Sequence, residues 1–134
     1  MISGKFDPPH EGHIDHILKA SELGDYLIVV VQRDDAIIEA KGHLNVPYWA
    51  RHILVRGILL YYGIEGMAIS GIDRDGKSTK ILEFIKPEVF AKGGDRTPDN
   101  MPQDEISMCE AIGCEIIYGV GDLLNSSSKI TERG

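Results

Sequence analysis

Three of the five histidines of this chain lie in one stretch, SGKFDPPHEGHIDH, which covers residues 3–16. Prolines and glycines punctuate the stretch, so we expect a loop that leads into a helix near Gly12. The start of a helix offers free backbone N–H groups and the positive end of a dipole, and glycine lets a ligand approach closely. His10 and His13 flank Gly12 and could donate hydrogen bonds to phosphate oxygens, or as cations offset charge that develops on phosphorus. The stretch therefore predicts a phosphate site.

The same histidines suggest an alternative, a metal site. His10, His13 and His16 are spaced by three, and steps of three or four keep side chains on one helix face. However, His10 precedes the predicted helix, and the stretch lacks the zinc pattern of two histidines four apart with a glutamate between them. We therefore favour phosphate, with no metal-ligating residues, and expect His16 to be a packed or surface residue outside the site. Asp7 has a structural alternative as a turn or cap acceptor.

The charge balance restricts the partners. The chain has 134 residues, which suggests one domain over residues 1–134, and its formal net charge is −7. An acidic chain without a basic run repels a nucleic-acid backbone, so we expect no nucleic-acid partner. A small anionic ligand remains possible, because a few local cations and helix ends can hold it.

The cysteines and the apolar runs indicate the compartment. Cys109 and Cys114 are the two cysteines, and their separation of five residues is not typical of a zinc site. Reduced thiols in a cytosolic protein are the simpler interpretation. We find no signal-peptide layout, and the run YLIVVV at residues 26–31 is too short to span a bilayer. We therefore expect a cytoplasmic protein without a membrane partner.

Hydrophobic periodicity predicts strands and helices in alternation. Apolar residues recur at helical spacing over residues 12–23, and Gly24 ends that helix. The continuous β-branched run at residues 25–32 is typical of a strand covered on both faces. The other predicted elements are a strand at 1–3, a short helix or turn at 33–42, a helix at 47–62, a strand at 66–70, a helix at 79–86, a strand at 88–95 that runs into a glycine turn, a helix at 103–112, a strand at 114–120 and a helix start at 125–130.

This alternation predicts the α/β class: a Rossmann-like, doubly wound parallel sheet of about five strands, with helices on both faces in three α/β/α layers. In such sheets ligands bind beyond the carboxyl ends of the strands, near the point where the strand order reverses. The loops that follow strands should therefore form the site. They read GKFDPPHEGH, QRDDAIIEAKGH, GIDRDGKS, KGGDRTPDN and GVGDLLNSSS.

Four of these segments resemble one family. SGKFDPPHEGH resembles the G-x-F-D-x-x-H-x-G-H signature of the cytidylyltransferase-like nucleotidyltransferases. AKGHLNVPYWAR is similar to the lysine loop and arginine-bearing helix of that family. FAKGGDRTPDN resembles the K-G-G-D turn of its heptose-phosphate adenylyltransferases, and NSSSKI resembles its late I-S-T-T-x-I element. The four matches occur in the family's order, and the resemblance runs through nearly the whole chain.

The resemblance implies nucleotidyl transfer. A phosphorylated small molecule, such as a sugar or polyol phosphate, attacks the α-phosphorus of CTP or ATP in line, and pyrophosphate leaves without a covalent enzyme intermediate. Two polyanions must meet, so such catalysis is mostly positioning and charge stabilisation. The K-G-G-D turn favours ATP, whereas the general signature equally fits CTP. Mg²⁺ is implied with the triphosphate, held chiefly by phosphate oxygens.

The resemblance also assigns residues. It implies that His10, His13 and Lys41 are catalytic, and that Asp7, Lys41 and Arg51 contact the acceptor. The implied nucleotide-binding residues are Gly4, Lys5, Phe6, Gly12, Lys92, Gly94, Asp95, Ser126, Ser127 and Ser128.

Two further expectations concern association and activity. Members of this family often form homodimers, and the apolar helix predicted at residues 47–62 could cover a dimer contact or pack in the core. A nucleotide-binding module without catalysis is the alternative function, followed by the histidine metal protein. Such a module would bind a triphosphate without releasing pyrophosphate.

Overall fold

The structure, a computed structural model, describes residues 1–121, and in them strands alternate with helices. The strands are β1 (Ile2–Gly4), β2 (Leu27–Val31), β3 (Gly66–Ser70), β4 (Val89–Ala91) and β5 (Glu115–Ile117). The helices are α1 (Glu11–Ser21), α2 (Asp34–Lys41), α3 (Tyr48–Tyr61), α4 (Thr79–Ile85) and α5 (Gln103–Ile112). The predicted α/β class and the number of strands are confirmed.

All strand pairs are parallel, but they form two hydrogen-bonded groups. β1 pairs with β2 and β2 with β3, while β4 pairs with β5. Two hydrogen bonds connect the groups: the Ala91 amide donates to the Met1 carbonyl at 3.0 Å, and the Met1 amine donates to the Val89 carbonyl at 2.8 Å. The spatial order is therefore β3–β2–β1–β4–β5. The order reverses between β1 and β4, which places the expected ligand site above those strands.

Strand β2 shows why helices cover both faces of the sheet. Leu27, Val29 and Val31 belong to a core cluster that includes residues of α1 and α3, whereas Val30 belongs to a second cluster with residues of α4 and α5. Successive side chains of a strand point to opposite faces, so a strand buried on both faces needs an unbroken apolar sequence. The predicted α/β/α layering is confirmed.

The observed boundaries of the strands and helices differ most from the predicted ones where an element gives way to a loop. The predicted strands at 88–95 and 114–120 shorten to β4 and β5, because the chain turns away at the glycines that follow. The segment at 33–42 contains the helix α2, which ends at Gly42 in the left-handed conformation. The helix start predicted at 125–130 lies outside the described residues, and the single domain over residues 1–134 stays a prediction. Among the described helices, none has the length and apolar character needed to cross a membrane.

The two cysteines are free and buried, Cys109 within α5 and Cys114 just after that helix. Burial raises the pKa of the Cys109 thiol to about 12, and it also raises the pKa of Cys114. Because the thiolate is the reactive form, these side chains are chemically quiet in the folded protein.

Candidate active site

A cavity of about 530 Å³ lies at the carboxyl ends of the strands, within the size range of small-molecule sites. Its described wall comes from the loops after β1, β2, β3 and β4 together with the first turns of α1 and α5. The chain has 14 lysines and arginines and 21 acidic residues, yet the wall carries five of the former and three of the latter. The cations are Lys5, Lys41, Lys77, Lys92 and Arg96, and the carboxylates are Asp7, Asp95 and Glu105. This local excess of positive charge favours an anionic ligand.

His10 and His13 cap the start of α1 reciprocally. The Gly12 amide donates to His10 Nδ1 at 3.0 Å, and the His10 amide donates to His13 Nδ1 at 3.1 Å. This is a capping box in which imidazoles replace the usual hydroxyl and carboxylate. Because each Nδ1 accepts a backbone N–H, the proton of each neutral ring lies on Nε2. The H-x-G-H spacing therefore leaves two Nε2–H donors at one helix end.

The two rings lie close together, with centroids 4.0 Å apart. Burial lowers the pKa of His13 from 6.5 to about 4, with smaller contributions from the positive charges of His10, His16 and Lys41. At neutral pH His13 is therefore an uncharged hydrogen-bond donor, whereas the sequence also suggested a cation. A bound polyphosphate would favour the charged form and raise this pKa.

His16 also lines the cavity, although the sequence analysis placed it outside the site. It lies one helical turn beyond His13 on the same face of α1. Its Nδ1 donates to the Val120 carbonyl and so connects α1 to the segment after β5, and burial lowers its pKa. The i, i+3 spacing of the three histidines was the sequence signal for this position.

Phe6 and Gly4 support His13 from the β1 loop. The Phe6 ring is fully buried, and its centroid lies 4.7 Å from that of His13. A Cβ at position 4 would be 3.0 Å from the Phe6 ring, so Gly4 leaves the space that this ring occupies. Both residues line the cavity as predicted, and they also hold the imidazole in place.

The capping geometry gives Gly12 a different role from the one expected. Its N–H is engaged by His10, and Gly12 is not among the described residues of the wall. Gly12 therefore completes the cap that orients His10. Its predicted direct contact with nucleotide has no support in the described geometry.

Lys5 and Lys41 bring positive charge to the cavity beside the histidines. Lys41 is the last residue of α2, and both lysines line the cavity. Burial lowers the pKa of Lys5, and the charges of Lys41 and Arg96 lower it further. These cations repel one another, so a phosphate group between them relieves the repulsion.

Arg51 does not lie on the described wall, although the resemblance implied that it contacts the acceptor. Its side chain is completely buried, and its donors are used within the protein. Nε donates to the Val46 carbonyl at 2.8 Å, Nη1 to the Lys5 and Gln32 carbonyls at 2.8 Å each, and Nη2 to Asp34 at 2.6 Å. The guanidinium thus joins the loops after β1 and β2, and Arg51 is a positioning residue.

Asp7 lines the cavity but is also a structural acceptor. Its carboxylate accepts from the Asn45 amide at 3.0 Å and from the Val46 amide at 2.6 Å. The side chain of Asn45 donates back to the Asp7 carbonyl at 3.2 Å. This exchange fixes the segment after Lys41 against the first loop, so Asp7 has a structural role, although its partners lie 38 and 39 residues away rather than in a local turn.

The loop after β4 forms the opposite wall. Lys92, Asp95 and Arg96 line the cavity. The described wall also includes Gly93, whereas the predicted Gly94 is not among its residues. The Lys92 ammonium lies 4.6 Å from the centroid of the Phe90 ring, and burial lowers the pKa of this lysine. The sequence analysis missed Arg96, although it directly follows the K-G-G-D turn.

The sequence analysis also missed Gln32, Lys77 and Glu105. Glu105 on α5 is buried and accepts from the Ser78 amide at 2.6 Å, while Lys77 forms an ion pair with Asp104 at 3.1 Å. These contacts attach the loop after β3 to the first turn of α5. Only the position of that loop after a strand could have indicated its place at the cavity.

The donors available for Mg²⁺ fit an ion that arrives with its nucleotide. Within residues 1–121 no group of three or more His, Cys, Asp or Glu side chains is placed to hold a metal ion. The Asp7 oxygens and one Glu105 oxygen already accept backbone N–H groups, whereas Asp95 is exposed on the wall. Mg²⁺ usually retains several waters and binds through substrate phosphates with one or two carboxylates. Ser126, Ser127 and Ser128 lie outside the described residues.

The parallel order and the cavity at the strand ends define a Rossmann-like α/β protein with a site for an anionic ligand. The model of the cytidylyltransferase-like family matches residues 1–133. This chain belongs to the cytidylyltransferase-like family.

Similar proteins agree with this assignment. The bifunctional protein HldE of Hahella chejuensis is 29% identical over 121 residues, which cover 90% of this chain and 22% of HldE. HldE of Alcanivorax borkumensis is 30% identical over 134 residues, or 99% of this chain and 27% of HldE. This chain thus spans about a quarter of the length of these relatives.

Solved structures show the same fold. The lipopolysaccharide core biosynthesis protein from Thermoplasma volcanium matches with a TM-score of 0.70 and 26% identity, over 91% of this chain and 95% of that chain. A protein of unknown function from Archaeoglobus fulgidus matches with a TM-score of 0.56 and 22% identity, over 88% of this chain and 96% of that chain.

Proposed function

We propose that this protein is a nucleotidyltransferase that joins a nucleoside monophosphate from CTP or ATP to a phosphorylated sugar or polyol, with release of pyrophosphate. The observation that carries the proposal is the pair of Nε2–H donors of His10 and His13 in a cavity with five cationic side chains. Membership of the cytidylyltransferase-like family supports it. So do the bifunctional HldE relatives and the likeness to a lipopolysaccharide core biosynthesis protein.

The geometry suggests how the reaction proceeds. His10 and His13 donate hydrogen bonds to the triphosphate and stabilise the charge that develops around the α-phosphorus. Lys41 contacts both the acceptor phosphate and the α-phosphate, and so reduces the repulsion between them. An acceptor oxygen then forms the new bond to the α-phosphorus as the bond to pyrophosphate breaks. No protein base is required, because the nucleophile is already a phosphate oxygen.

The two sides of the cavity suit two substrates. The loop after β4 is proposed to border the nucleotide, with Lys92 and Asp95 as the resemblance implies and with Arg96 as a further cation on the same loop. The loops after β2 and β3 then border the acceptor. Mg²⁺ is proposed to accompany the triphosphate. Asp95, whose carboxylate is exposed on the cavity wall, is the proposed protein ligand for this ion. When bound, this ion neutralises phosphate charge.

We further propose that the protein forms a homodimer through α3. Trp49, Ile53 and Leu60 follow one another at helical spacing on this helix and are 67%, 59% and 71% exposed. Apolar groups at i, i+4 and i+11 lie along one stripe of a helix, and exposed apolar patches are typical of association surfaces.

The experiment begins with thermal stabilisation by ATP and by CTP, each with Mg²⁺ at matched concentration. A ligand that binds only the folded state raises the melting temperature by mass action, so the larger shift identifies the nucleotide. Pyrophosphate release is then measured with that nucleotide and a set of sugar and polyol phosphates. Binding without release from any acceptor would favour the non-catalytic module instead.

A further inference from the structure

Gln32 directly follows β2 and is one of the residues that line the cavity. Both backbone polar groups are engaged: its N–H donates to the Gly4 carbonyl at 3.0 Å, and its carbonyl accepts from Arg51 Nη1 at 2.8 Å. The backbone of Gln32 is thus fixed to β1 and to a buried guanidinium. The fold therefore sets where this side chain meets the cavity.

The side-chain oxygen of Gln32 has no partner. Oε1 is buried and accepts no hydrogen bond within the described part of the chain. It lies beneath the turn at Gly76, where a Cβ would be 3.2 Å from this oxygen. Buried polar atoms are nearly always hydrogen-bonded, so an exception at a cavity indicates a partner that residues 1–121 do not supply. Because Oε1 has no bond to lose, rotation about the soft last torsion can bring either end of the amide to the cavity.

The sheet order places Gln32 on the acceptor side. In the order β3–β2–β1–β4–β5, the loops after β2 and β3 lie across the histidines from Lys92 and Asp95. On this side the wall also includes Lys41, Gly76 and Lys77, so it is polar.

Resting on the proposed nucleotidyl transfer, we propose that Gln32 is a specificity residue that hydrogen-bonds a hydroxyl group of the acceptor. A hydroxyl both donates and accepts, so it matches either end of the amide. The acceptor phosphate lies with Lys41, and the hydroxylated remainder extends towards β2 and β3. The acceptor is therefore a hydroxylated phosphomonoester. A phosphate ester with an apolar remainder is rejected, because it would leave the amide desolvated without a partner.

The test uses pyrophosphate release with the preferred nucleotide. Glycerol 3-phosphate, glucose 1-phosphate and a heptose 1-phosphate are the first acceptors, and the best one is compared with its monodeoxy analogues. We expect one analogue to have a kcat/KM lower by about 10- to 100-fold with the unchanged protein. Gln32→Met should lower kcat/KM for the parent by a similar factor and should no longer distinguish it from that analogue.

The controls separate this role from general damage. Gln103→Met removes an exposed amide on α5, and it should leave the kcat/KM for the parent acceptor and that for the deoxy analogue unchanged. Gln32→Asn withdraws the amide by one methylene, and it provides the same comparison if Gln32→Met does not fold. The nucleotide affinity of both Gln32 variants should match that of the unchanged protein.

The possible outcomes are distinct. Gln32 variants that keep the original discrimination between parent and analogue would overturn the inference, and so would a selective loss of nucleotide affinity. A folded, nucleotide-binding protein that releases pyrophosphate with none of the acceptors would instead overturn the proposed function, and the role of Gln32 with it.

Discussion

Protonation of His13 should cost stability in a defined pH range. Burial holds its pKa at about 4 in the folded protein, below the ordinary 6.5. As the pH falls through 6.5, the unfolded chain takes up a proton at this residue while the folded protein does not. The free energy of unfolding therefore falls with falling pH. This contribution is complete above pH 6.5 and is lost as the pH approaches 4.

The magnitude follows from the two pKa values. Between about pH 7.5 and about pH 5, the linkage relation gives a loss of about 2 kcal/mol from this residue alone. His13→Gln removes the titration but keeps a side chain that can reach back to the His10 N–H, as glutamine does in a capping box. We expect the pH dependence of this variant to be shallower than that of the unchanged protein by about 2 kcal/mol over this range.

The assay is urea unfolding followed by circular dichroism at both pH values. His16, whose pKa burial also lowers, contributes to both proteins and cancels in the comparison. Gln103→Ala, at an exposed position on α5, is the control and should keep the original pH dependence. If the unchanged protein and His13→Gln lose stability in parallel, His13 is not held neutral by burial, and its assignment as an uncharged donor is wrong.

Other predictions concern residues outside the proposed chemistry. Arg51→Met should lower the free energy of unfolding by about 3 kcal/mol, because it leaves the carbonyls of Lys5, Gln32 and Val46 and the half-exposed Asp34 carboxylate without their donor. Urea midpoints test this with the exposed Arg56→Met as control, and a loss below about 1 kcal/mol would contradict it. Trp49→Glu should convert the proposed dimer into a 14.8 kDa monomer in light scattering, whereas a monomeric starting protein would refute the dimer. The Cys109 thiol should react with a disulfide reagent only after unfolding, and fast labelling of the native protein would show that it is accessible.

The elements of the fold were predictable because they depend on local patterns. The apolar run of β2 and the helical periodicity of α1 are visible in the sequence, and their alternation gives the parallel sheet. The ends of β4 and β5 were harder to predict, because the sequence does not show where each strand gives way to the glycine turn that follows it, and Lys92 still donates to the Ile117 carbonyl at 2.8 Å beyond β4. The interruption between β1 and β4 also depends on geometry, because within residues 1–121 the backbone hydrogen bonds between the two groups of strands all involve Met1.

The site was predictable where its residues lie within one short segment, because the local structure of that segment fixes their relative positions. His10 and His13 lie in the same helix cap, so their spacing alone brings the two rings together. Arg51 and Gln32 are different, because their partners come from segments distant in sequence. Arginine in a helix can face a ligand or the interior, and the buried acceptors of its guanidinium become visible only when the loops after β1 and β2 are assembled.

The most direct measurement is the kcat/KM of pyrophosphate release for the unchanged protein, His13→Ala and the exposed control His43→Ala, with the preferred nucleotide and the best acceptor. Loss of one hydrogen-bond donor to a developing charge lowers the rate by about 100- to 1,000-fold in comparable sites. We predict a loss of this size for His13→Ala, with no change for His43→Ala and a retained fold. A folded His13→Ala variant within about threefold of the original rate would contradict the role of the helix-capping imidazoles in catalysis.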